Sequence, residues 1–553
     1  MSKITKESIK TAYETLKKYK QGKANLEARI VEEEMFWKRR HWEVLRPSDQ
    51  KTKPSSAWMF NSIVNKHADA MDAYPEAICL PREADDETSA NTLTSIIPVV
   101  LERNQFEDVY SDNWWQKLKH GFCVYGIFWN NNLNNGMGDV QVTKIDPLNI
   151  FWEPGITNIQ KSKNIFICDL VSAEDLKALY PKVKINGGNS ADIKQYILDE
   201  NIDTSDKVLM VDWYYKKDGK LHFCKFCEEN ILFASENESN CENGWYEDGE
   251  YPIEVDVTYP EAGTPIGFGI ISIAKDPQLY IDELDKNIMD NLHIAAKPRY
   301  FVRENAGVKE EEFLDLSKTL VHVSGNADET NLKPIHVNSL PGQIMNFRQA
   351  KIDELKETSS NRDFSQGGTM GGVTSGAAIA VLQEAGNKTS RDIVKASYRT
   401  YERIVNKVIE RMRQFYTEIH TYRIVGKTGQ NEYIDFSNKD IVPQPFGTTP
   451  GPNGEEVELF RKPIFDIDVK AQKQNPFSTL SQNETAMNLY NAGMFNPEMA
   501  QMALPALEMM SFEGKEKILE KVREGMTLQN QLAEMQKQIQ ALAAENAQLK
   551  AGA

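Results

Sequence analysis

The chain has 553 residues, 40% hydrophobic and 26% charged, with a formal net charge of -17. That length predicts roughly three or four domain-sized units, and the longest apolar runs fall far short of the roughly 20 residues a membrane span needs. The acidic balance argues against a surface that grips nucleic acid, because grip comes from lysine and arginine neutralising phosphates.

The opening "MSKITKESIKTAYETLKKYK" is a polar amphipathic helix rather than a basic-then-apolar signal, which predicts a soluble protein made in the cytoplasm. Residues 5–46 read as one helix, ending in the aromatic and basic cluster "MFWKRRHWEVLRP". Ile63, Val64, Ala68 and Met71 have helical spacing, stopped by Pro75. A further helix is expected through "SANTLTSIIPVVLERNQFEDVYSDNWWQKLKHGF". The period then changes to two in "CVYGIFWNN" and "VQVTKIDPLNIFWEPG", joined by the turn "NLNNGMGD". "SAEDLKALYP" reads as a short helix with Ser172 as N-cap, and "KVLMVDWYYKKDGKLHFCKFC" as a hairpin turned at "KDGK". The first 260 residues thus form one mixed α+β unit.

From "GFGIISIAKDPQLYIDELDKNIMDNLHIAAKPRYFV" the chain becomes helical, with Leu279, Ile281, Leu284, Ile288, Leu292 and Ala295 on one face until Pro298. A small segment, Arg299 to Gly342, contains short strands such as "TLVHVSG". A second helix starts at Gln343, so the two helices can stand as antiparallel neighbours. A long helix is expected from Ala377 to about His420, with Ile393, Tyr401, Ile404, Val405, Val408, Met412, Phe415 and Ile419 on one face. Its other face carries Arg391, Lys395, Arg399, Arg403, Lys407, Arg411 and Arg413, either as a solvated side or as a charged surface between subunits. Strands follow in "TYRIVGKTGQNEYIDFS" and "IFDIDVKAQ", and the rest is helical. Leu528, Leu532, Met535, Ile539, Leu542, Asn546 and Leu549 alternate steps of four and three, a short coiled coil with one buried-type Asn.

Recognisable catalytic sets are missing from this sequence. In "SQGGTMGGVTSG", Gly367 and Gly372 have P-loop spacing and Thr374 would supply the metal-binding hydroxyl, but Val373 stands where the lysine belongs. The preceding "QAKIDELKETSSN" is a helical run, whereas a P-loop is aimed by a strand. "VEEEMF" and "KEEEFL" read as solvated helix faces. A zinc site would use Cys224, Cys227 and Cys241 with His222. In an extended strand, however, residues three apart point to opposite faces, so structural thiols are the simpler reading. No cofactor and no metal are expected.

The ordered set resembles the portal proteins of tailed double-stranded DNA bacteriophages. It is carried by "NSIVNKHADAMDAYPEAICLP", "GFCVYGIFWNNNLNNGMGDVQVTKIDPLNIFWEPG" and above all "GGVTSGAAIAVLQEAGNKTSRDIVKASYRTYERIVNKVIERM", and it extends to about residue 475. The resemblance implies an α+β fold with a wing at 1–265 and 377–472 and stem helices at 266–297 and 343–362. A clip at 298–342, a tunnel loop at 363–376 and a helical crown at 473–553 complete it. It implies a non-enzymatic ring of about twelve copies at one capsid vertex of the virion. Double-stranded DNA would pass through its channel. Terminase, then head-completion or tail adaptor proteins, would dock on the clip through Arg299, Arg303 and Lys309, and the capsid and scaffolding proteins would surround the ring. The tunnel loop would present Arg362, Gln366, Gly367, Gly368, Thr369, Met370, Gly371, Gly372, Val373 and Thr374 to sliding DNA. Glycine there supplies conformational freedom, and the absence of lysine leaves only weak contacts. Two rival readings are a degenerate nucleotide-binding ATPase built on that loop and a scaffold protein assembled through the C-terminal heptads.

Overall fold

The first helix, α1 (Lys6–Trp37), is started by a capping box in which the Thr5 side chain accepts from the Ser8 backbone N–H. In this computed structural model the described residues are 3–45, 54–181, 183, 193–200, 206–296, 299–302, 307, 309–315, 317, 319–320, 322, 324, 332–335, 341–359, 388–425, 431–450 and 456–471. In the tail they are 487, 491, 504, 519, 521, 523, 531 and 534–543. The chain divides into two units, Met1–Ala471 and Gln472–Ala553.

The expected helix over 5–46 breaks at Arg39, which adopts a left-handed φ of 59°, and α2 (His41–Leu45) follows. Then come α3 (Trp58–Asp72) and β1 (Pro75–Pro81). The sequence reading took Pro75 as a stop and missed this strand. Its partner is β18 (Phe465–Ala471), almost four hundred residues away, with Pro75 opposite Ala471. The helix expected through residues 89–122 is two helices, α4 (Glu87–Arg103) and α5 (Phe106–His120). Asn104 and Gln105 make the break. Gln105 takes φ +50°, and the Asn104 amide donates to Val140 O (2.9 Å) and accepts from Val142 N (3.0 Å). The Asn104 side chain at this break satisfies backbone groups on the free edge of β3.

β2 (Phe122–Asn130) and β3 (Asp139–Ile145) form the expected hairpin, and β9 (Ile253–Val257) completes a sheet of order β3-β2-β9. β4 (Ile150–Trp152) leaves that sheet for a second, antiparallel one of order β4-β5-β6-β7-β8, built with β5 (Asn164–Ser172), β6 (Lys207–Lys217), β7 (Lys220–Cys227) and β8 (Asn230–Ala234). β5 was missed in the sequence. α6 (Ala173–Leu179) begins as expected, with Ser172 accepting from Glu174 N. Asp218 and Gly219, at φ 52° and 75°, make the two-residue turn between β6 and β7. Ile9, Ala12, Leu16 and Tyr19 of α1, at steps of three and four, pack on this sheet with Phe166, Val211 and Trp213. Cys224 lies in that cluster and Cys227 in another with Ala173, Leu176 and Val208, so the two thiols face opposite ways and burial pushes both up, to about 12 and about 11. The two thiols thus sit on opposite faces of β7, as strand alternation places them. Among the described residues no His, Cys, Asp and Glu group could hold a metal ion.

After β10 (Tyr259–Pro260) and β11 (Gly267–Phe268) come α7 (Ile270–Ala296), β12 (Tyr300–Val302), α8 (Glu310–Leu314), β13 (Leu332–Pro334) and α9 (Gly342–Thr358). β12 pairs with β13; the described residues of "TLVHVSG" are not in a strand. α10 (Lys388–Phe415) is the long helix, and its expected start lies outside the described residues. It ends at Phe415, not His420, and Ile419 beyond it is 62% exposed rather than on the buried face. The remaining strands are the hairpins of β14 (His420–Val425) with β15 (Asn431–Phe436) and of β16 (Gln444–Pro450) with β17 (Glu456–Arg461). In the second unit residues 534–543 are helical with Met535, Ile539 and Leu542 exposed; the other heptad positions lie outside the described residues. Among the described residues no helix is long and apolar enough to cross a membrane.

α10 is docked by charge as well as by its apolar face. Strand alternation puts Glu254 and Asp256 of β9 on one side, both buried. Arg403 Nε bonds Glu254 at 2.8 Å, Lys407 meets Glu250 and Glu254, and Arg411 Nη2 lies 3.2 Å from Asp248 with its guanidinium over Tyr246. Arg413 donates to the Ile441 and Pro463 carbonyls. The basic side is therefore neither solvated nor free for another subunit over its second half: Arg411 and Lys407 are buried. Arg391, Lys395 and Arg399 are exposed, as is Arg403 despite its bond to Glu254. At the head of this ladder the fully buried Lys117 ammonium donates to Asp256 (2.9 Å) and Ser397 (2.6 Å), while Ser397 donates to the other Asp256 oxygen at 2.6 Å.

Breaking a buried pair strands a charge, so Lys117→Met alone is expected to cost about 3–5 kcal/mol. The double variant Lys117→Met with Asp256→Leu should recover most of that loss, read as the denaturation midpoint in urea. A double variant as unstable as the single one would show that the pair is not what holds α10.

Candidate functional site: the paired helices and their tip

α7 begins where backbones touch. Gly121 caps α5 at φ +87°, and a side chain there would collide with Phe268. A Cβ on Gly269 would lie 2.5 Å from Lys119 O. Thr258 adds two ties, its N–H to Gly121 O and its hydroxyl to Lys117 O, each 2.8 Å. Only glycine allows the end of α5 and the start of α7 this close.

The first half of α7 is then fixed by buried polar groups. Ser272 donates to Glu33, whose other oxygen lies 3.1 Å from His120 Nδ1. Asp282, fully buried, accepts from Ser56 N and Ser56 Oγ (both 2.8 Å) and from Gln278 Nε2 (3.1 Å). His41 Nε2 lies 3.3 Å away, its ring stacked on Phe36. Gln278 in turn accepts from Met59 N at 3.3 Å. These contacts correct the reading of "VEEEMF" as a solvated face: Glu33 is buried, and Glu34 is bonded to Lys119 at 2.6 Å. The signal that could have found them is the aromatic-rich end of α1 and the basic end of α5, with Lys119 and His120, not the acidic run itself.

α9 packs antiparallel on α7. Ile281 meets Ile352 and Leu355, and four residues along α7 Asp285 takes the Arg348 guanidinium, with Nη2 to Oδ2 at 3.0 Å. The Ser359 and Ser62 hydroxyls, 2.9 Å apart, tie the end of α9 to α3. The expected apolar face of α7 is buried only at Ile281. Leu292 (58%), Met289 (50%) and Ile294 (44%) are exposed, as are Met345 and Phe347 of α9. The tip repeats the pattern with Phe301, Leu314 and Leu320. One end of the helix pair is sealed by polar bonds and the other carries unburied apolar side chains.

Of the site residues expected from sequence, Arg299 and Lys309 lie at this tip, both exposed. The Arg299 carbonyl accepts from Ile335 N (2.7 Å), and the Lys309 ammonium lies 3.8 Å from Glu312, which His322 also engages at 2.9 Å. Arg303, Arg362 and Gln366 to Thr374 lie outside the described residues, as does the glycine-rich stretch as a whole.

The Glu34 cluster predicts an acid response. Burial alone would raise the Glu34 carboxyl, but His120 and Lys119 overcome it and hold it at about 2. A depressed carboxyl stabilises the fold fully above its unfolded value and loses that stabilisation as pH falls toward 2, a loss on the order of 3 kcal/mol. Glu34→Gln should flatten the stability profile between about pH 4.5 and 2. An unchanged acid limb in the thermal melts would remove Glu34 from the cluster's energetics.

The profile of a family described as phage P22-like portal protein matches residues 68–260 and 217–553. No curated protein matches the chain. The two matched stretches overlap and run from α3 to the last residue, taking in the ion-pair ladder, the paired helices and the tip, and so the chain belongs to the phage P22-like portal protein family.

Proposed function

We propose that the chain assembles as a ring of about twelve copies at one capsid vertex, with an axial channel through which the genome is packaged and later released. The observation that carries this is the unburied apolar side of α7 and α9. Contiguous exposed apolar surface marks an interaction site, and helix pairs standing side by side around an axis would bury Met289, Leu292, Met345 and Phe347. In this reading α7 and α9 are the stem, the β12–β13 tip with α8 is the clip, and the body formed by residues up to 265 with 377–472 is the wing. The glycine-rich stretch 363–376 is the tunnel loop, with Arg362 at its edge, and the helical tail is the crown. The chain's negative charge suits a channel that lets a duplex slide, since repulsion opposes lasting grip.

Negative-stain images of the purified protein are expected to show rings with a central hole. Compact monomers or rods at every concentration would overturn the reading.

The clip would dock terminase first and the head-completion or tail adaptor protein afterwards. Reversing Arg299, Arg303 and Lys309 to glutamate should leave rings intact and weaken terminase binding, most at low salt where charges are least screened. Terminase binding that is unchanged at low salt would take these residues out of the interface.

A further inference from the structure

The β16–β17 hairpin stands apart from the sheets as a two-stranded unit, and such a ribbon is marginal in water without a surface to pack on. Its root is held by Arg461, paired with Glu83 and Asp86. Its large apolar side chains are mostly uncovered among the described residues: Phe446, at the bulge between Pro445 and Gly447, is 72% exposed and Phe460 62%. Strand alternation places Glu458 on the same face as Phe460, so that face offers an aromatic knob beside a carboxylate.

The same chain carries a complementary hollow. Between α1 and the five-stranded sheet lies a groove of about 550 Å³, floored by Leu16, Phe151, Cys168, Ile193 and Leu209. Lys17, Lys20 and Lys194 rim it, with Glu27 the one acid among its lining residues. A cationic rim is unusual on a chain of net charge -17. A closed ring joins unlike patches head to tail, so one copy must present what the next receives.

We propose that the β16–β17 hairpin of one copy seats Phe460 and Phe446 in the α1–sheet groove of the next copy, with Glu458 against the Lys17 and Lys194 rim. This rests on the ring reading and names a contact in the wing that the stem helices do not supply. It also gives the isolated ribbon the surface it lacks.

The test uses the full chain. Phe446→Ser with Phe460→Ser should raise the concentration needed for half-assembly in mass photometry by about tenfold or more, as loss of buried aromatic anchors does. The melting temperature of the unassembled chain should stay unchanged, because both residues are exposed there. Glu458→Lys should weaken assembly, and adding Lys17→Glu and Lys194→Glu should restore it. Oxidation of the Gln21→Cys, Phe460→Cys double variant should give a ladder of covalent multimers, and either single variant should give none. Rings that form normally from the serine variant, with no ladder from the cysteine pair, would overturn the contact and leave the ring reading standing. Wild-type protein that stays monomeric at every concentration would overturn both.

Discussion

The fully buried bond of Lys117 to Asp256 and Ser397 is the constraint on which the rest of the body depends. It joins α5, β9 and α10, three elements far apart in sequence, at a point from which water is excluded. Two charges removed from water repel any arrangement that separates them, so the pair fixes register more than it adds stability. With Asp256 placed, alternation along β9 places Glu254, and the turn before it places Glu250 and Asp248. Helical spacing then brings Arg403, Lys407 and Arg411 to them in order. A slip of one residue along β9 would turn every carboxylate away from the helix.

α5 carries this constraint to the paired helices. Lys117 faces α10, while Lys119 and His120 near the helix end face Glu34 and Glu33 of α1. Gly121 then lets the chain pass against the start of α7, and Ser272 shares Glu33 with His120. Position is thus handed from the core ion pair to the root of α7 within a few residues. Asp282 repeats the arrangement higher up, taking donors from the α2–α3 connection and from α7 itself. The helix pair is aimed by polar bonds of fixed direction, which apolar packing alone would not supply.

Much of this was legible in the sequence, and what was missed shares a physical cause. The apolar stripe of α10 from Ile393 to Met412, the Asp-Gly turn of β6–β7, the Ser172 cap and the opposed Cys224 and Cys227 follow from local periodicity and turn chemistry, and they are found where expected. β1 was missed because its identity as a strand comes from β18, nearly four hundred residues on. The break at Asn104 was missed because it answers a hydrogen-bonding need of β3. The burial of Glu33, Lys407 and Arg411 was missed because a charged residue reads as solvated until its partner is in view. Ile281 was placed correctly and Leu292 was not, since spacing defines a face without saying what covers it.

The contrast between the two ends of α7 is the last step. Within the body, the charges of the ladder are buried in pairs and the apolar faces of α1, α5 and α10 are covered. Along the distal helices, at the tip and on the β16–β17 hairpin the pattern inverts, and large apolar side chains are exposed to water. Each exposed methylene carries a free-energy penalty of about 0.8 kcal/mol relative to burial, so surfaces of this kind favour a neighbour. A rigid, charge-locked body holding unsatisfied apolar surface at fixed positions is the division of labour a closed ring needs. In the ring proposed above, the locked part would set the angle between copies and the apolar part would supply the attraction. Were the ion-pair ladder replaced by apolar packing, the attraction would remain but the angle would be free to drift, and open chains of copies would compete with closure.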